Sequence, residues 1–105
     1  MDDKARLLEV FRQHAYGRAN AKNKDFFCAG LDLHERTFRL MAEELVSDGE
    51  PICSHPDFGY WYAAGMEDGD AALADLRSRE NKLRQRRCRL EENIHKAYGQ
   101  QMALL

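Results

Sequence analysis

Five residues between positions 34 and 39 carry the side chains best suited to chemistry: His34, Glu35, Arg36, Thr37 and Arg39. Arginine can donate two parallel hydrogen bonds to a guanine edge, threonine can meet a base edge or a phosphate, and glutamate can accept from cytosine. The chemistry such a set could do is hydrogen bonding to base edges rather than bond breaking. The plainer reading is the solvated face of an amphipathic helix, with Phe38, Met41, Ala42 and Leu45 on the buried face.

A second set is cationic. Arg18, Lys22 and Lys24 stand where a second helix begins, and His55 lies in a later turn. Side chains so placed can hold backbone phosphates, or they are ordinary surface charge. Between Arg77 and Arg89 come Arg77, Arg79, Lys82, Arg84, Arg86, Arg87 and Arg89, with only Glu80 opposing them. That run could hold phosphates without reading sequence, or be an exposed helical surface balanced by acids on a partner helix. Cys53 and His55 share a strand face, but two ligands do not make a metal site. No nucleophile elbow, oxyanion glycine loop or paired carboxylate motif is present, so the chain reads as a non-enzyme without cofactor or metal. Tyr60, Trp61 and Tyr62 read as packing residues.

The elements that must position these side chains follow from periodicity and punctuation. Leu7, Leu8, Phe11 and Ala15 predict a helix over 3–15, capped by Asp2 or Asp3. Gly17 predicts a turn, and residues 19–22 are a candidate very short strand. Asn23 is placed to cap a helix over 24–30, with Phe27, Cys28 and Leu31 inward and Gly30 ending it. Phe26 either packs on a neighbour or stands at a partner surface. Asp32 is expected in a left-handed turn, which aspartate tolerates. The third helix is expected over 34–47, stopped by Asp48-Gly49. Residues 51–54 and 59–62 then form a two-stranded hairpin around His55-Pro56-Asp57-Phe58. Tyr60 and Tyr62 face one way and Trp61 the other.

Ala64 to Asp70 reads as a linker, and 70–98 as a long helix closed by Gly99, with QQMALL a frayed end. Leu76, Leu83, Leu90 and Ala97 recur every seven residues. Leu73 and Ile94 lie three before the first and last of them, with Glu80 and Arg87 at the same heptad position between. A parallel pair would stack like charges, so an antiparallel pair, or packing on the chain's own first helix, fits better.

At 105 residues and a net charge of −2, the chain is a small globular domain with an added element, not a wholly basic nucleic-acid binder. Charge is local: residues 1–30 are net +2 and residues 31–50 net −4. Three widely spaced cysteines are not a disulfide framework. With no apolar leader and no long apolar run, an intracellular protein with reduced thiols is expected.

The order helix, short strand, helix, turn, helix, two-stranded hairpin is that of a winged helix-turn-helix, and particular residues carry a closer likeness. Leu31-Asp-Leu-His-Glu-Arg-Thr37-Phe-Arg39 resembles the winged-helix pattern L-G-[VI]-S-x-R-T-[VL]-R. Leu45, Gly49, Pro51 and Ile52 resemble its continuation into the wing, and Gly59-Tyr60-Trp61 the second wing strand. Gly17-Arg18-Ala19-Asn20-Ala21 resembles the G-R-x-N-A stretch of small winged-helix proteins of phages and prophages, which also follow the wing with a long arginine-rich helix. The likeness covers about residues 5 to 95. Departures are His34 for the capping serine, Asp32 for the turn glycine, an acid at Glu35, and Asp57 rather than a cation at the wing tip.

The expected class is therefore mainly α with a small β-hairpin: a winged helix-turn-helix over 1–65, then a linker and long C-terminal helix over 66–105. The resemblance implies binding of double-stranded DNA, in transcription regulation or phage DNA replication, in the cytoplasm of a bacterial host. Base contacts would come from His34, Glu35, Arg36, Thr37 and Arg39, and backbone contacts from Arg18, Lys22, Lys24 and His55. A homodimer would form through Leu73, Leu76, Leu83, Leu90 and Ile94, with neither a membrane nor a small-molecule substrate involved. The competing expectation is a protein-interaction module of a replication or transcription complex, anchored by Phe26, Leu40 and Phe58.

Overall fold

The computed structural model describes residues 2–103, with side chains for residues 2–99. The fold is mainly helical, at 71%, with one two-stranded antiparallel hairpin and a long C-terminal helix. The chain divides into two compact units between Leu73 and Ala74.

In the first unit, helix α1 spans Asp3–His14. The Asp2 carboxylate accepts from the Ala5 N–H at 2.8 Å, and Arg12 and His14 occupy the last turn, where positive charge suits the helix dipole. Leu7 and Phe11, one turn apart, are fully buried together with Ala15. The strand expected over 19–22 does not form. Arg18–Asn20 is a 3-10 turn instead, because Gly17 (φ +87°) turns the chain and the Asn20 amide donates to the Tyr16 carbonyl at 2.8 Å. What remains of the strand is two isolated bridges, Tyr16 to Tyr62 and Lys22 to Tyr60.

Helix α2 spans Lys24–Leu31, capped by Asn23, whose side chain accepts from the Phe26 N–H at 3.0 Å. It runs one residue past Gly30. The reversal falls at Asp32, which adopts the expected left-handed conformation (φ 53°, ψ 52°). Holding a non-glycine residue there costs about 1–2 kcal/mol. Asp32→Gly is therefore expected to raise stability by about 0.5–1 kcal/mol once the flexibility of glycine in the unfolded chain is set against it. A higher urea midpoint at an unchanged slope would confirm this, and a lower one would refute it.

Helix α3 spans Glu35–Ser47. His34 is its cap rather than its first turn: the Arg36 N–H donates to His34 Nδ1 at 3.2 Å. Phe38, Ala42 and Leu45 are buried, and Met41 is partly so. Gly49 takes φ +103°, and the Glu50 N–H returns to the Leu45 carbonyl at 2.9 Å, ending the helix.

The hairpin pairs β1 (Ile52–His55) with β2 (Gly59–Tyr62), setting Ile52 opposite Tyr62, Cys53 opposite Trp61 and His55 opposite Gly59. The alternation of side chains along β2 gives it two cores. Tyr60 and Tyr62 pack on the helical core, where the rings of Phe11 and Phe27 (4.5 Å), Phe27 and Phe38 (5.2 Å) and Phe38 and Tyr60 (4.9 Å) make a continuous aromatic chain. Each such contact is worth about 0.5–1.5 kcal/mol beyond the area it buries. Trp61 turns the other way, fully buried with Cys53 and Ala72.

The expected linker is structured. Met66–Gly69 is a 3-10 turn, the Asp68 carboxylate accepts from the N–H groups of Ala64 (2.8 Å) and Arg18 (3.3 Å), and the Asp68 carbonyl accepts from the Trp61 indole at 3.0 Å. These bonds and Ala72 carry the first unit beyond residue 65 to Leu73.

Helix α4 spans Asp70–Ala103. Gly99 does not close it, since one interior glycine costs only about 1 kcal/mol and the following Gln100, Gln101, Met102 and Ala103 all favour helix. Of the segment expected to fray, Leu104 and Leu105 lie outside the described residues. Leu73, Leu76, Leu83, Leu90 and Ile94 are all exposed on the single chain. Among the described residues no helix is long and apolar enough to cross a membrane.

Candidate nucleic-acid interface

The turn at Asp32 and the cap at His34 bring the start of α3 to the surface beside the start of α2. The Glu35 carboxylate sits between two cations, 3.1 Å from Lys24 Nζ on α2 and 2.6 Å from Arg39 Nη2 one turn along α3. The hydrogen bond from Lys24 above all, with the fields of Lys24, Arg39 and His34, holds the Glu35 carboxyl below the usual glutamate range. It is an anion at neutral pH, engaged within the chain. The expected cytosine acceptor is thus committed to an internal pair, and it partly neutralises two of the expected DNA contacts.

Arg36 stands differently. It is exposed and makes no ion pair among the described residues, with exposed Thr37 beside it. His34 spends Nδ1 on the cap, leaving Nε2 as its outward polar atom. His34, Glu35, Arg36, Arg39 and Leu40 line an open depression of about 250 Å³. Four of the five expected base-contacting residues therefore share one surface feature, with Lys24 attached to it through Glu35.

The remaining expected phosphate contacts gather elsewhere. His55 stacks on Phe58 with ring centroids 4.6 Å apart, and the Arg18 guanidinium lies 5.2 Å from the same ring. The His55 Nδ1 accepts from the Asp57 N–H at 3.1 Å, closing the hairpin turn. Phe58 is thus the shared support of Arg18 and His55. The sequence signal for it is an exposed aromatic at the end of the hairpin turn. Lys22 lies 5.7 Å over the Phe26 ring. Phe26 both packs, edge-on to Phe27 at 5.3 Å, and remains 39% exposed. The Lys24–Glu35 pair was also not anticipated, because it bridges two helices and follows from no single periodicity.

Along α4, Arg79, Arg87 and Arg89 pair within the helix with Asp75 (2.9 Å), Glu91 (2.7 Å) and Glu92 (3.9 Å). Burial pushes the Cys28 and Cys53 thiols up, so both stay protonated at neutral pH. Among the described residues no three His, Cys, Asp or Glu groups gather as a metal site. No protein-family model, curated protein or solved structure matches the chain.

Proposed function

We propose that this is a DNA-binding protein, a winged helix-turn-helix of the phage and prophage kind. The N-terminal half of α3 enters the major groove of duplex DNA, in transcription regulation or DNA replication within the bacterial cytoplasm. The observation that carries the reading is Arg36: a free, exposed guanidinium next to Thr37 on the first turn of the second helix of a helix-turn-helix, where recognition helices meet base edges. Arg39 reaches DNA by exchanging Glu35 for an acceptor on a base or phosphate. Lys24, and the Arg18–Phe58–His55 stack at the wing, contact the backbone. A homodimer through α4 supplies two such heads and compensates for the acidic surroundings of each.

Enrichment of bound duplexes from a random-sequence pool tests the reading directly, and recovery of no sequence, together with no salt-dependent binding, would overturn it. A sharper test follows from Glu35. Glu35→Gln removes a charge and releases Lys24 and Arg39, so DNA affinity is expected to rise about three- to ten-fold at low salt, with the gain shrinking as salt screens it. A loss of affinity would instead mean that Glu35 itself touches DNA.

A protein-docking role is favoured by one observation, the exposure of Leu40, at 50%, in the same depression as Arg36. Leu40→Ala separates the readings: it leaves DNA affinity within about two-fold in the first and removes a buried anchor in the second.

A further inference from the structure

Helix α4 leaves a heptad seam uncovered, apolar at both ends and charged in its middle. Leu76, Leu83 and Leu90 recur every seven residues and are exposed, as are Leu73 and Ile94 on the companion position. The companion position is interrupted by Glu80 and Arg87. Two facts fix what this face can meet. The seam is only two residues wide per heptad, which is the footprint of a single second helix. And its two charged members are of opposite sign, seven residues apart, hence about 10 Å apart along the helix and unable to pair with each other.

We propose that α4 docks on α4 of a second copy of this chain, antiparallel, in the register that sets Leu83 of each copy against Arg87 of the other. The proposal rests on the dimer reading above and specifies its orientation. In antiparallel coils the two seam positions pack on one another across the interface. This register then sets Leu76 against Ile94, Glu80 against Leu90, and Leu73 against Ala97, so every seam residue from 73 to 97 has a partner. Glu80 of one copy falls one turn, about 4.5 Å along the axis, from Arg87 of the other. The pair occurs twice, once on each side of a two-fold axis near Gln85. At the flank, Arg77 of each copy comes beside Glu91 of the other, which can exchange its intrahelical partner Arg87 as Arg87 turns to Glu80. A parallel pair instead stacks Glu80 on Glu80 and Arg87 on Arg87 inside the seam. The like charges that the antiparallel register does bring together, Arg84 with its own copy and Arg86 with its own copy, lie at the solvated rim, where water and salt screen them.

The test is the mass of the full chain in solution together with a charge exchange. Wild type is expected to sediment as a dimer. Glu80→Arg alone, or Arg87→Glu alone, is expected to raise the dimer dissociation constant about ten-fold or more. The double variant Glu80→Arg/Arg87→Glu is expected to return it to within about three-fold of wild type, because each copy again meets the opposite charge. A parallel pair sets like on like in wild type and in every variant alike, so there neither single variant would weaken the dimer by as much as about three-fold. Helicity by circular dichroism shows whether each variant keeps α4 intact. A second measurement does not depend on charge. In a Cys88→Ser background, chains carrying Leu83→Cys are expected to form a disulfide with chains carrying Arg87→Cys, while neither crosslinks to itself. Self-crosslinking of either one, single variants that dimerise as tightly as wild type, or a dimer without recovery in the double variant, overturns the orientation and leaves the dimer standing. A monomer at all concentrations overturns both and leaves DNA binding to be judged separately.

Discussion

Gly59→Ala is expected to cost the first unit about 3 kcal/mol or more, a large share of its stability. Gly59 opens β2 at φ +93°, a left-handed conformation that costs an alanine about 1–2 kcal/mol by itself. The space is the greater obstacle. A Cβ there would lie 2.4 Å from the Lys22 carbonyl oxygen and 2.8 Å from its carbon, both backbone atoms. Those atoms cannot withdraw cheaply. Lys22 and Tyr60 exchange N–H to carbonyl bonds at 2.9 and 2.7 Å, and Asn23, the next residue, caps α2. Making room therefore breaks two hydrogen bonds, at about 1 kcal/mol each, and detaches the hairpin from the helix-turn-helix. A unit of this size has only roughly 4–11 kcal/mol to lose. Gly49→Ala is the control: φ is +103°, but nothing lies within 4 Å of the added carbon, so only the strain should appear. Thermal melts followed by circular dichroism compare the two, and equal melting temperatures would refute the role given to close approach.

The double variant Arg36→Ala/Arg39→Ala is expected to reduce DNA affinity at least about 100-fold while leaving the melting temperature within a few degrees of wild type. A bidentate arginine–base contact is worth about 1–3 kcal/mol, and both side chains are exposed and outside the core. The two are not equivalent. Arg36 has no partner to give up, whereas Arg39 must leave Glu35, so Arg36→Ala alone should account for most of the loss. Fluorescence anisotropy with an enriched duplex measures this, and undiminished affinity in the double variant would remove α3 from the interface.

The order of elements was legible because each rests on local signals. Asp2 and Asn23 cap their helices, Asp32 takes the left-handed turn, and the strand register follows the alternation of Tyr60, Trp61 and Tyr62. The misplacements share a cause. A strand over 19–22 is too short for pattern to decide, and the Asn20 side chain and Gly17 close a local 3-10 turn there. Gly99 suggests a stop, but the helix continues through it to Ala103. At the site, the outward face of α3 was plain from spacing. Which of its charges are free was not, because the Lys24–Glu35 contact depends on how two helices meet. The stretch 64–70 looked like a linker because it is small and acidic. Its role as a clasp depends on Asp68 meeting Arg18, fifty residues away in sequence.

That clasp also makes the protein its own reporter. The chain has a single tryptophan, and it is Trp61. Its indole is sealed from water and bonded to the Asp68 carbonyl, in the segment that leads into α4. Its emission therefore tracks one event, the lifting of residues 66–72 from the back of the hairpin, without any label. A red shift that coincides with the loss of helical signal on heating would mean that this segment melts together with the helices rather than before them. The smallest piece that folds faithfully would then have to be cut after Leu73, not at the end of the wing.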